Sequence, residues 1–167
     1  MGEKTRQNVY DAFVGEAKAH HRLLAFARKA EEEGYPQIAK LFRAVATAES
    51  VHAERHLRLL GEAVVQSTEA NLQSSFERET SINQVTYPQF IQEAEGEGEQ
   101  AAAITFSQAR DVEERHAALY KQALSAMLRE ESHDYYVCSA CGFIAEREAP
   151  DECPICGAKK ERFVQIS

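Results

Sequence analysis

Glu49-Ser50-Val51-His52 decides the reading of this chain, because its spacing returns 64 residues later as Glu113-Glu114-Arg115-His116. Each is a Glu-x-x-His inside a long run with helical periodicity. On an α-helix, residues three apart lie about 60° apart around the axis and about 4.5 Å along it. A carboxylate and an imidazole so placed face one point in space, and together they offer an anionic oxygen and a neutral nitrogen to a cation. One such pair in a helix is commonplace. Two at a fixed offset call for a shared structural reason.

The surroundings repeat as well. Glu33-Gly34 through Ile38-Ala39-Lys40-Leu41-Phe42 is echoed at the same offset by Glu97-Gly98 through Ala102-Ala103-Ile104-Thr105-Phe106. Two αα-hairpin units are therefore expected. In the first, a helix over Thr5–Glu33 carries Val9, Phe13, Glu16, His20, Leu23 or Leu24 and Ala27 on one stripe. Gly34-Tyr35-Pro36 stops it. A helix over Gln37–Leu60 follows, with Leu41, Val45, Glu49, His52, His56 and Leu59 facing inward, and Gly61 ends it. After a short connection, Thr68 is the expected N-cap of a third helix, Glu69–Glu95. Leu72, Phe76, Glu79, Ile82 and Phe90 face inward there, and Pro88 predicts a kink. The acidic run Glu95-Gly96-Glu97-Gly98 reads as a solvated turn. A fourth helix, Glu99–Glu131, carries Ile104, Phe106, Ala109, Glu113, His116, Tyr120, Leu124 and Met127. Polar residues 130–134 mark a linker, and the tail Tyr135–Ser167 has short β-like runs without helical period. The expected architecture is an all-α four-helix bundle over 1–131 and a small four-cysteine ribbon over 132–167.

Each hairpin unit offers one lone carboxylate and one Glu-x-x-His: Glu16 with Glu49 and His52, then Glu79 with Glu113 and His116. All six fall on stripes shared with Phe, Leu and Val. Burying unpaired carboxylates is costly, and several together repel. Two divalent ions balance four carboxylates; when both metals oxidise, an oxo bridge cancels the added charge and a hydroxo bridge halves it. Mixed nitrogen and oxygen donors suit Fe or Mn better than a closed structural zinc site. A lone Glu from each of two helices and a Glu-x-x-His from each of two others is the donor pattern of dinuclear carboxylate bundles.

All four cysteines lie between 138 and 156, as Cys138-x-x-Cys141-Gly142 and Cys153-Pro154-x-Cys156-Gly157. This C-x2-C-x11-C-x2-C spacing builds one tetrahedral all-sulfur cage rather than a scattered disulfide framework. Spacing alone leaves zinc and a single iron both open. The formal charge of −8, from 19 basic and 27 acidic residues, argues against nucleic acid or an anionic membrane as partner. With no apolar leader in Met1–Asn8 and no spanning apolar run, a cytoplasmic protein is expected.

In this order, Gly15-Glu16, Glu49-x-x-His52, Glu79, Tyr87-Pro88, Glu113-x-x-His116 and the two cysteine knuckles resemble rubrerythrin over essentially the whole chain. The resemblance implies a ferritin-like di-iron bundle followed by a rubredoxin-like domain. It implies a peroxidase of oxidative-stress defence that reduces hydrogen peroxide to water. A reductase linked to rubredoxin or NAD(P)H would feed electrons through one iron held by Cys138, Cys141, Cys153 and Cys156. In that reading Glu49 and Glu113 bridge the two irons. Glu16 and His52 complete one, and Glu79 and His116 the other.

Two positions depart from the family pattern. Ile82 stands where rubrerythrins carry a further Glu, and Leu23 where they carry a Tyr. The remaining symmetric six-residue set is closer to a bacterioferritin ferroxidase centre, so a ferroxidase or O2-consuming oxidase is the alternative. A zinc-ribbon interaction protein with an inert bundle is the non-catalytic alternative. A ferritin-like topology also needs a long crossover between helices two and three. Residues 61–67 reach at most about 25 Å, against about 39 Å for the helix they must follow. A domain-swapped homodimer is therefore expected, each dinuclear site taking residues from both chains. His20 and His56 lie near inward faces and are not counted as ligands.

Overall fold

The computed structural model describes residues 1–127 and 134–166. The end of the fourth expected helix, His133, most of the expected linker and the boundary expected between 131 and 132 lie outside the described residues. The chain forms two compact units, residues 1–66 and 67–167.

The first unit is a hairpin of α1 (Glu3–Glu32) and α2 (Pro36–Leu60). Gly34 takes φ 82°, the left-handed region that closes a helix without a Cβ penalty. Its N–H bonds Glu31 O at 3.0 Å and that of Tyr35 bonds Ala30 O at 2.8 Å, so two terminal carbonyls of α1 are satisfied. Pro36 then opens α2, where a missing N–H costs nothing. The seam between the helices is built from small side chains. Ala27 and Ala30 on α1 are buried, as are Ala39, Ala46, Ala53 and Leu60 on α2. The α2 set repeats every seventh residue, which keeps one face on the partner helix. The stripe expected to face inward differs: Leu41 is 57% and Leu59 61% exposed. Alanine wins the seam because it lets the two backbones approach, whereas the larger side chains lie on another face of the same helix.

The second unit begins with α3 (Thr68–Ser81). Its N-cap is Ser67, not Thr68: the Ser67 Oγ accepts the Ala70 N–H at 3.2 Å. The third expected helix is divided. A π-helical turn over Ile82–Thr86 separates α3 from α4 (Tyr87–Glu97). Pro88 has no N–H to continue the ladder, so the helix widens just before it. Asn83 Nδ2 donates to Arg110 O at 2.8 Å and ties this turn to α5 (Gln100–Ala126). The break after α4 repeats the first hairpin's chemistry. Gly98 has φ 78°, its N–H bonds Glu95 O, and the Glu99 N–H bonds Ala94 O at 2.8 Å. Tyr87, Phe90 and Phe106 pack as a ring cluster with centroids 5.6–6.2 Å apart. The C-terminal region is an antiparallel sheet of β1 (Tyr135–Cys138), β2 (Ile144–Glu146) and β3 (Phe163–Ile166) in the order β2-β1-β3. The fold class is thus helical, with a small stranded region that holds the four cysteines. Among the described residues no helix is long and apolar enough to cross a membrane.

The alanine seam makes a prediction. Ala46 has no exposed surface, so Ala46→Leu is expected to lower stability by about 1–3 kcal/mol through overpacking. Urea unfolding followed by circular dichroism reads it; Lys40→Ala, at an exposed position, is the comparison within the same helix.

Candidate metal centres

In the first unit, α1 contributes Glu16 and α2 contributes Glu49 and His52, one helical turn apart. His52 Nδ1 lies 2.9 Å from Glu49 Oε2 and 4.0 Å from Glu16 Oε1. The second unit repeats this with Glu79 from α3 and Glu113 and His116 from α5. His116 Nδ1 lies 2.9 Å from Glu113 Oε2, the same distance as in the first pair. In each trio the donor atoms all lie within 4.8 Å of one another.

These groups are less buried than the sequence led one to expect. The side chains of Glu16 and Glu49 are 31% and 21% exposed, and that of His52 is 50% exposed. Each hairpin carries its three donors at its own surface. Even so, negative charge is concentrated enough to perturb titration. Burial, a hydrogen bond with Glu113 and the charge of Glu113 raise the Glu79 carboxyl from 4.5 to about 7. Burial, then the charges of Glu113 and Glu79, push the Tyr87 phenol up as well. A carboxyl that holds a proton against a neighbouring carboxylate marks where a cation would replace that proton. The residues present therefore fit a metal.

The imidazole of His116 is fixed from its far side. Its Nε2–H donates to Gly142 O at 3.2 Å. With that nitrogen as donor, the Nδ1 lone pair turns toward the carboxylates, the tautomer a metal needs. His20 Nδ1–H instead donates to Ala46 O at 2.8 Å and joins α1 to α2. Its role is packing. Ile82, half-buried, opens the π-helical turn one turn beyond Glu79.

The four cysteines form the third cluster. Cys138 and Cys156 sulfurs are 3.8 Å apart and those of Cys141 and Cys153 3.6 Å, far beyond a disulfide bond. A metal bonded tetrahedrally at about 2.3 Å holds sulfurs about 3.8 Å apart. Backbone amides aim into the cluster. For Cys138, burial alone would raise the thiol, but the N–H groups of Ala140 and Cys141 and the neighbouring thiols outweigh it and bring it down to about 7. Cys141 and Cys156 move up, with burial the largest cause. Cys138 is poised to ionise, whereas Cys141 and Cys156 are held as thiols until a cation offsets their charge.

Two residues had no role in the sequence reading. Gly142 has φ 87°, which only glycine adopts without strain, and a Cβ there would lie 3.7 Å from Val112 Cγ1. The Cys-x-x-Cys-Gly word signals its conformation, not its contact with His116. Arg115, inside the Glu-x-x-His itself, bonds Glu146 and Ile144 O. No local pattern links positions 31 residues apart.

The chain matches the rubrerythrin family over residues 7–124 and the rubrerythrin rubredoxin-like domain over residues 136–164. It is 34% identical to rubrerythrin-2 of Clostridium acetobutylicum over 167 residues, which cover 91% of each protein. It is 33% identical to nigerythrin of Nitratidesulfovibrio vulgaris, covering 95% of this chain and 85% of that protein. Among solved structures, the partially reduced state of nigerythrin superposes with a TM-score of 0.60 at 33% identity, over 99% of this chain and 88% of that one. A fully reduced, all-ferrous state of nigerythrin gives a TM-score of 0.58.

The Glu79 shift sets a pH dependence for the metal-free protein. The folded state holds this proton more tightly than the unfolded chain, so the stabilisation is complete below pH 4.5 and is lost as pH rises through about 7. The melting temperature of chelator-treated protein is expected to fall across that window. Glu79→Gln, which is always neutral, should flatten the fall, and added ferrous iron should abolish it.

Proposed function

The chain belongs to the rubrerythrin family, and from that premise we propose that it is a peroxidase that reduces hydrogen peroxide to water at a di-iron centre. Glu16, Glu49, His52, Glu79, Glu113 and His116 would hold the pair of irons, with Glu49 and Glu113 as bridges. Cys138, Cys141, Cys153 and Cys156 would hold a single iron. When bound, the ferrous pair supplies the two electrons that O–O cleavage consumes with two protons, and the four-cysteine iron supplies electrons singly for the return. The all-ferrous state known for nigerythrin supports iron as the metal.

The observation that carries this reading is the bond from His116 Nε2–H to Gly142 O. Gly142 follows Cys141 directly, so one hydrogen bond joins a residue of the sulfur cage to a residue of the carboxylate–imidazole group. An electron donor beside such a site serves a peroxidase that is re-reduced after each turnover. A site fed by incoming Fe(II) has no need of one. The chain's own residues manage protons and water. Glu79 holds a proton near neutrality, and the raised Tyr87 phenol stays protonated against the Tyr87–Phe90–Phe106 cluster. Ile82, one turn beyond Glu79, and Leu23, two turns beyond Glu16, would make the surroundings apolar.

The symmetry of the two trios favours a second reading, a ferroxidase or oxidase that consumes O2. In either case we propose a homodimer built by exchange of hairpins. The seven residues 61–67 span at most about 25 Å, while the 25-residue α2 that they follow runs about 38 Å. Gly61–Ala63 are also coiled into a 3-10 turn. Exposed Leu41 and Val45 on one unit and Phe90 and Ile104 on the other would then be covered. Free thiols accord with a cytoplasmic, reducing setting and a rubredoxin- or NAD(P)H-linked reductase as donor.

The test is to mix anaerobically reduced, iron-loaded protein with hydrogen peroxide, and separately with O2, in a stopped-flow spectrometer. Fast oxidation by peroxide and much slower oxidation by O2 is the expected result. Equal or faster oxidation by O2 would establish the oxidase reading instead. Zinc alone in the purified protein, with no visible absorption, would leave only an interaction module.

A further inference from the structure

The four-cysteine region meets α5 along a narrow ridge: Val112, Arg115 and His116 face Gly142, Ile144 and Glu146. Clefts open on both flanks. One, of about 550 Å³, lies beside Arg115 and Glu146. The other, of about 330 Å³, lies beside His116 and Ile144. Directional polar contacts fix orientation across this seam. Arg115 makes them. Its Nε–H donates to Ile144 O at 3.0 Å and its Nη2 to Glu146 Oε2 at 2.9 Å. Gln122 Nε2 donates to the other Glu146 oxygen at 3.2 Å. The Arg115 and Glu146 side chains are only 28% and 19% exposed, so water and salt screen the pair less than a surface pair. The planar guanidinium fork reaches a carbonyl and a carboxylate at once, which a point charge cannot do.

Building on the peroxidase reading above, we propose that Arg115, clamped to Glu146 and Ile144, is a positioning residue for electron transfer, holding the Gly142 carbonyl on His116. The step it serves breaks no bond. With iron bound at both sites, an electron would pass from the four-cysteine site to the carboxylate-held site, and such transfer slows steeply when a through-space gap replaces a hydrogen bond. Arg115 sits on the β2 side of the ridge and touches neither the sulfurs nor the carboxylate donors. Its loss would therefore spare both centres and open the link between them.

The test uses full-length protein as Arg115→Gln, Glu146→Gln and the double variant. The four-cysteine absorption and the first oxidation phase with peroxide should match the parent. The later oxidation of the four-cysteine iron should slow about tenfold or more in Arg115→Gln. The double variant should be no slower than Arg115→Gln, because the two side chains act through each other. An independent readout is nitrogen-15 relaxation of the zinc-loaded protein. Amides of residues 135–166 should tumble with α5 in the parent and faster than α5 in Arg115→Gln. Parent-like electron transfer in Arg115→Gln overturns the proposal whatever the relaxation shows, and so does unaltered tumbling. A parent that ignores peroxide would instead defeat the peroxidase reading, and the tumbling would still decide whether the clamp holds.

Discussion

Charge compensation is the constraint on which the rest of this structure depends. Two hairpins bring carboxylates together and a small sheet brings four thiols together, and neither gathering is tolerable in the fully ionised, unpaired form. The protein shows the strain in its protons: Glu79 keeps one near neutrality, and Cys141 and Cys156 hold theirs more tightly than ordinary thiols. Asn83 pins the π-helical turn, the Tyr87 ring cluster backs Glu79 and Glu113, and backbone amides of the knuckles point at sulfur.

The two hairpins solve the same problem with the same parts. Their glycine caps use the same pair of backbone bonds, and their Glu–His distances agree at 2.9 Å. They differ in what stands behind the imidazole. His52 is half exposed, with only carboxylates on Nδ1, whereas His116 is anchored through Nε2 to the four-cysteine region. The repeated unit is thus made asymmetric by one docking contact.

Much of this was legible in the sequence. Helical spacing places Glu49 beside His52 and Glu113 beside His116 because one turn of backbone dictates it. The glycine stops were legible because φ near +80° leaves few other choices. The seam inside the first hairpin escaped for a physical reason. Hydrophobicity points to Leu41, Val45 and Leu59, yet close helix approach selects for size, and Ala39, Ala46 and Ala53 occupy the seam. The cap fell one residue early because Ser67 and Thr68 are chemically alike and only backbone geometry separates them. Arg115 escaped because its partner, Glu146, lies on another element, and nothing periodic connects them.

The π-helical turn also preserves a register. Glu113 and Glu49 are 64 positions apart, as are Gly98 and Gly34, but Glu79 and Glu16 are only 63 apart. From the lone Glu to the closing glycine there are 18 steps in the first hairpin and 19 in the second (34 − 16 and 98 − 79). In an ordinary helix one surplus residue rotates everything before it by about 100°, which would swing Glu79 away from Glu113. The wide turn at Ile82–Thr86 takes up the surplus within a single coil. Glu79 therefore stays on the face of Glu113 despite the extra residue.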